Sequence, residues 1–284
     1  MARERSDAFK LSFHRTFALS RFAVGQILHL VAEFEALDTT RPLSWEVIRA
    51  RTSLGTVQVE AFRRYTFRTG LVTNKERLTE FGRMVASADP TLAELATQWL
   101  MHYHLSAPQG PGPFFWHYVA TSCLRIGTRL TSSDVAQTIA LAVREQSGQD
   151  PKPRIAREAG TVFLGSYAKP EGLSQLRLIQ EVERGLYLVT DPSPVPVWVF
   201  GFALVDYWER QWGNRITVDL AALFEPGGLS SIFFLGSEAV DEVLGTLQRE
   251  KLIDVYRVAP PYQVVRQWGS DARRMCLDRA YASN

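Results

Sequence analysis

Cysteine is scarce: Cys123 and Cys276 are the only two in a chain of 284 residues. That excludes a disulfide framework and a thiolate metal site, both of which need several cysteines at short, regular spacings. Both lie in apolar, helix-like stretches and read as buried free thiols. Long hydrophobic runs are missing too. No stretch approaches the roughly 20 apolar residues that cross a bilayer, and residues 1–10 are charged, without the apolar core of a secretory leader. The chain is therefore expected in the cytoplasm, away from membranes. It also lacks an excess of one charge. The formal net charge is +2, so any nucleic-acid site must come from local clustering. Gly-x-x-x-x-Gly-Lys and Gly-x-Gly-x-x-Gly phosphate loops, the Gly-x-Ser-x-Gly elbow and His-Glu-x-x-His are absent. No catalytic motif, cofactor or metal site is expected, which points to a non-enzymatic protein.

What the chain does have is core-forming material. Hydrophobic residues make up 46%, with 16 Phe, 9 Tyr and 7 Trp, enough to offset the entropy of ordering one large core or two to three small ones. Ser20 is placed to cap a helix running to Leu37, and Thr39-Thr40-Arg41-Pro42 breaks it. Ser44 caps a short helix with Glu46 in its first turn, and Gly55 ends that segment. A second helix spans Thr56 to Arg68. At 100° per residue, Val59, Phe62, Tyr65 and Thr66 share one side, and Thr56, Glu60, Arg63 and Arg64 the other. Gly70 suits the C-cap. Leu71-Val72 and Leu78 form two very short strands around the turn Thr73-Asn74-Lys75-Glu76, and Thr79 opens another helix. Short helix, turn, helix, short hairpin is the pattern of a winged helix over residues 42–85.

After Asp89-Pro90, a plausible boundary, the periodicity predicts helices from Thr91 to Leu105, from Phe114 to near Arg125, from a cap in Ser132-Ser133-Asp134 to Gln146, and through Ile155 and Tyr167. The middle therefore reads as an all-helical block, although Leu186 to Val189 has strand character. Asp191 to Pro196 is a Pro-rich linker. Trp198 to Trp212 reads as a buried helix, and Val218 to Phe224 as a short one. Ser237 is placed to cap the helix Glu238 to Glu250, followed by paired strands at Leu252–Tyr256 and Tyr262–Val265. The expectation is a mainly α protein in three domains: an N-terminal winged helix-turn-helix (1–90), a central helical block (91–195) and a C-terminal winged-helix-like unit (196–284).

In DNA-reading winged helices the second helix enters the major groove while basic side chains meet phosphates and base edges. Here the candidates are Thr56, Arg63, Arg64 and Arg68 on the second helix, Arg49 and Arg51 at the end of the first, and Lys75 and Arg77 in the wing. Glu60 on the same face would repel a phosphate. The C-terminal helix is acidic, with Glu238, Asp241, Glu242 and Glu250, and suits a protein partner better. His102 and His104 flank Tyr103, but on a helix their rings diverge by about 200°, so they read as core residues. Asp206 and Glu209 are the nearest candidates for a metal-binding carboxylate pair; an ion-pair face with Arg210 is the simpler reading.

Several segments resemble one bacterial family. Phe13-His14-Arg15-Thr16-Phe17 is similar to its Phe-x-x-His-Glu-Thr-Phe opening. Leu54-Gly55-Thr56-Val57, Ala61-Phe62-Arg63-Arg64-Tyr65 and Thr69-Gly70-Leu71-Val72 resemble its next segment. Leu78-Thr79-Glu80-Phe81-Gly82, Asp89-Pro90 and Trp99-Leu100-Met101-His102-Tyr103 resemble the run that follows. The family is domain of unknown function four thousand and seven. The resemblance implies a setting among defence and DNA-modification gene clusters, beside enzymes of DNA phosphorothioation, and it offers no catalytic residues to carry over. Arg15 departs from the family's acidic residue after the histidine. The function expected is a DNA-binding, non-enzymatic component of a bacterial antiphage defence or phosphorothioation-linked DNA-modification system. Its partners would be double-stranded DNA, other proteins of that system and a second copy of the chain. The alternative is a protein-interaction scaffold or homodimerising subunit without DNA binding.

Overall fold

Helix α1 (Arg21–Ala36) begins where the Ser20 hydroxyl accepts from the Ala23 amide. The computed structural model describes residues 11–37 and 43–282, so the break at residues 39–42 lies outside the described residues. Helix α2 (Trp45–Arg51) is capped by Ser44, and α3 (Thr56–Arg68) follows from Gly55. The apolar side of α3 is the one the spacing predicts: Val59, Phe62, Tyr65 and Thr66 are buried, joined by Ala61. Gly70 then turns the chain at φ 78°, a left-handed conformation that costs glycine nothing. It also leaves room for a neighbour, since a Cβ there would lie 2.3 Å from the His104 ring.

The hairpin after α3 is minimal: a single antiparallel bridge, Val72 to Leu78. Glu35 of α1 holds it by accepting from the Leu78 amide at 2.6 Å. Helix α4 (Glu80–Ala88) is capped by Thr79, whose hydroxyl also donates to the Gly70 carbonyl at 2.6 Å. Gly82 lets α4 lie against the hairpin, since a Cβ would come within 1.8 Å of the Leu71 carbonyl oxygen. Helix α5 (Leu95–Ser106) starts later than its apolar pattern suggests. The Asp89 carboxylate accepts from the amides of Ala93 and Glu94, both at 3.0 Å, and so holds residues 89–94 in a turn.

By internal packing the chain forms two units, one ending at Ser193 and one beginning at Pro194. In the first, residues from both sides of Asp89-Pro90 share a core: Phe13 meets Tyr65 edge-on at 5.1 Å and also contacts Phe115 and Trp116. Phe115 and Trp116 belong to α6 (Phe114–Tyr118), which continues as a π-helical turn over Val119–Cys123. Helix α7 (Ser132–Ser147) opens on a capping box of Thr131 and Asp134, and α8 (Pro153–Ala168) places its proline at the first turn.

The middle of the chain is not all-helical. Strands β1 (Arg129–Leu130), β2 (Ile179–Glu183) and β3 (Leu186–Val189) form an antiparallel sheet in the order β1-β3-β2. Its strands are two to five residues long. In β2 only Ile179 is buried, so no apolar alternation announces it. The ladder, with Gly185 at φ 77° turning the hairpin, is what makes it a sheet.

The second unit begins with α9 (Val197–Gln211), buried continuously from Val199 to Trp208. Strand β4 (Thr217–Asp219) and a 3-10 turn (Leu220–Leu223) occupy the stretch expected as a short helix. Helices α10 (Leu229–Ile232) and α11 (Ser237–Arg249) follow, then β5 (Ile253–Tyr256), β6 (Gln263–Arg266) and α12 (Ala272–Ala282). The cap of α11 is Gly236, and Ser237 is its first helical residue. The sheet order is β4-β6-β5, so the predicted hairpin gains a third strand. Both cysteines are free, and burial pushes the Cys276 thiol up to about 12. Overall the fold is mainly helical with two small sheets. Among the described residues, no helix is long and apolar enough to cross a membrane.

Candidate nucleic-acid interface

The outward side of α3 carries Thr56, Glu60, Arg63 and Arg64, as its period requires, because its opposite side is locked to the core. The Tyr65 hydroxyl donates to the Phe17 carbonyl at 3.0 Å, and burial raises its pKa. Most candidate cations on this surface are already engaged. Arg63 donates through Nε to Glu76 at 2.7 Å and through Nη2 to the same oxygen, tying α3 to the hairpin. Arg64 pairs with Glu60 one turn earlier at 2.9 Å. Arg68 reaches the Pro111 carbonyl at 2.7 Å and lies over the rings of Phe13 and Phe67. Arg51 pairs with Glu33 of α1 at 2.7 Å. Arg49 is exposed and lies over the Trp45 ring at 5.5 Å. Lys75 is exposed at the hairpin turn, with no acidic partner among the described residues. Beside it is half-buried Arg77, whose amide donates to the Thr73 hydroxyl at 3.2 Å.

Two contributors went unread in the sequence. Arg15, noted only as a departure from the family pattern, lies against α3. Its Nε and Nη2 donate to the two Glu60 oxygens at 3.0 and 2.9 Å. Hydrogen bonding from Arg15, with added field from Arg64, holds the Glu60 carboxyl below the usual range. An acidic residue at position 15 would face Glu60 with like charge. The partner of Arg63, Glu76, was read only as a turn residue. Its place in the turn was legible, but its pairing with α3 was not.

The same surface is concave. A cavity of about 760 Å³ lies between α1, α2, α3 and the hairpin. Ile27, Val31, Ile48 and Val72 line its interior, with Trp45, Phe67 and Phe13 adding aromatic faces. Its walls also carry Thr56, Glu60, Arg63, Arg64 and Glu76.

His102 meets the Tyr167 hydroxyl at 2.7 Å, while His104 stacks near Phe81 at 5.6 Å, so the two rings diverge as helical spacing requires. Trp116 Nε1 donates to the same Tyr167 hydroxyl at 2.8 Å. His14 is fully buried, and desolvation lowers its pKa to about 4. Asp206 pairs with Arg210 at 2.7 Å and with Arg273 at 3.4 Å, and Glu209 also meets Arg273. Among the described residues, no group of three or more His, Cys, Asp and Glu is placed to hold a metal ion.

Two solved structures share the fold. They are described as "SspB crystal structure" and "Magnesium ion-bound SspB crystal structure". Each has a TM-score of 0.75 and 19% identity over 95% of this chain and 87% of the other. No curated protein matches. The model of the family described as protein of unknown function DUF4007 matches residues 49–281, a span that takes in Gly70, Thr79, Gly82, Asp89 and His102 but not the opening at Phe13. The chain belongs to the DUF4007 family.

Proposed function

We propose that the chain binds double-stranded DNA without catalysing a reaction on it. In this reading α2 and α3 are a helix-turn-helix, the 72–78 hairpin is its wing, and α3 faces the major groove. The observation that carries it is the run of cations on three consecutive elements: α3 turns Thr56, Arg63 and Arg64 outward, α2 ends on exposed Arg49 and Arg51, and the hairpin presents Lys75. The ion pairs on this surface do not disqualify it. The more exposed pairs, Arg64 with Glu60 and Arg51 with Glu33, are worth about 0–1 kcal/mol each, so either guanidinium can turn to a phosphate at little cost, while Arg63 stays tied to the hairpin through Glu76. The second unit runs helix, strand, 3-10 turn, helix, helix, strand, strand, helix, with the first strand beside the last; apart from the turn and the final helix, this order is similar to that of a winged helix. The setting implied by the family resemblance makes the protein a component of an antiphage defence or DNA-modification system, working in the cytoplasm with other proteins of that system.

The test is fluorescence anisotropy of a labelled duplex across a salt series. Binding through phosphates releases counterions, so affinity must fall steeply as salt rises. Arg63→Ala with Arg64→Ala must weaken it. Absent or salt-independent binding refutes the proposal.

One observation favours a second reading for the C-terminal unit. Glu238 and Glu242 are exposed on α11, and the hairpin tip exposes Tyr256, Tyr262 and Val258, the last at 96%. An acidic helix beside an apolar tip suits a protein partner or a second copy better than a groove. Light scattering with and without duplex separates the readings: a stable oligomer with no DNA affinity favours the scaffold.

A further inference from the structure

Glu60 and Glu76 are the awkward residues of a phosphate-binding surface, yet both line the cavity beside α3. Each is held by an arginine that also lines it, Glu60 by Arg64 and Glu76 by Arg63, and Glu60 is held by Arg15 as well. The cavity therefore offers two donor–acceptor pairs. A guanidinium reads the acceptor edge of a base and a carboxylate takes a proton from an exocyclic amino group. The interior behind them is apolar, with Ile27 and Val31 from α1 and Ile48 from α2. The rings of Trp45 and Phe67 also line it, each with an arginine over one face, and aromatic rings are surfaces on which bases stack without regard to sequence. At about 760 Å³ the cavity lies within the range that encloses small ligands.

We propose that this cavity receives one unpaired nucleobase of the bound DNA, an inference that rests on the DNA-binding reading above. The paired charges argue against a purely aliphatic ligand, which would shield both ion pairs from water without hydrogen-bonding to either. The carboxylates argue against a bare phosphate, which they would repel. A base satisfies all three features: its ring faces the aromatic and apolar walls, its polar edge meets the arginine–carboxylate pairs, and its own phosphate stays outside. Extracting a base from a duplex is costly, and least so where the base is already unpaired.

The experiment compares three duplexes of equal length by anisotropy with the full chain: fully paired, carrying a one-nucleotide bulge, and carrying the same bulge without its base. The abasic bulge has similar flexibility and backbone charge but nothing to insert. The unaltered protein is expected to bind the bulged base at least about tenfold more tightly than the abasic bulge. Val31→Phe, which fills the interior from α1, should abolish that preference while leaving affinity for the paired duplex within about twofold. Ile27→Phe provides a second filling, and cooperative thermal melting shows which variant is folded. Equal binding of the bulged base and the abasic bulge by the unaltered protein overturns the inference, whatever the variants do. So does a preference that persists in a folded, filled variant. If the paired duplex is bound with steep salt dependence and no base preference appears, the cavity assignment alone falls. If no duplex is bound, the DNA reading itself fails.

Discussion

Replacing Glu60 with glutamine should strengthen DNA binding. Glu60 accepts from Arg15 at 3.0 and 2.9 Å and from Arg64 at 2.9 Å, so one carboxylate occupies two guanidinium groups on the outward side of α3. Its pKa is lowered first by the Arg15 hydrogen bond, so it carries full charge at neutral pH. Glu60→Gln keeps the shape and one acceptor oxygen but removes that charge. A carboxylate about 7 Å from a phosphate in water repels it by about 0.6 kcal/mol, and removing it gains about threefold in affinity. If Arg64 or Arg15 then turns to a phosphate, the plot of log affinity against log salt should steepen by about 0.9, the increment for one added contact. The assay is anisotropy on a paired duplex at four or more salt concentrations, with thermal melting as a control. The melting point should move little, because the carboxylate and both guanidinium groups are partly exposed to solvent. Weaker binding, or unchanged affinity with an unchanged slope, would refute the placement of this side of α3 against phosphates.

Three further outcomes test the fold that holds the surface. Gly82→Ala places a Cβ 1.8 Å from the Leu71 carbonyl oxygen, backbone against backbone; it should cost about 3 kcal/mol or more in urea unfolding, and a neutral result would mean that α4 does not sit against the hairpin. Tyr167→Phe removes the hydroxyl that His102 and Trp116 share; leaving those buried groups short of a partner should cost about 1–3 kcal/mol, read by tryptophan fluorescence during unfolding. His14 has a folded pKa near 4 against 6.5 in the unfolded chain, so between those values the unfolded chain binds the extra proton. Stability is then complete above about pH 6.5 and falls as pH drops towards 4, by about 3 kcal/mol in all. His14→Gln should flatten that part of the stability–pH curve, and an unchanged slope would place the effect elsewhere.

The sequence determined what depends on neighbours three or four residues away. Ser20, Ser44 and Thr79 start helices because their side chains reach the next turn's amides, and the two sides of α3 follow from the 3.6-residue period. Gly55 and Gly70 mark its ends for the same local reason. The sequence also showed the family through positions whose meaning became visible only in three dimensions. Gly70 makes room for His104, Gly82 for the Leu71 carbonyl, and Asp89 caps the turn before α5. What only the tertiary structure decided was pairing at long range. Nothing in the spacing links Arg15 to Glu60, 45 positions on, or Glu35 to the Leu78 amide. Strand β1 joins β3 across more than fifty residues, and with two residues and little apolar content it has no periodicity to read. The candidate cations were legible as residue types. Which of them hold carboxylates, which hold carbonyls, and that Arg63, Arg64 and Arg68 line a cavity were not, because ion pairing and concavity are set by how separate helices pack and not by the order of residues within any one of them.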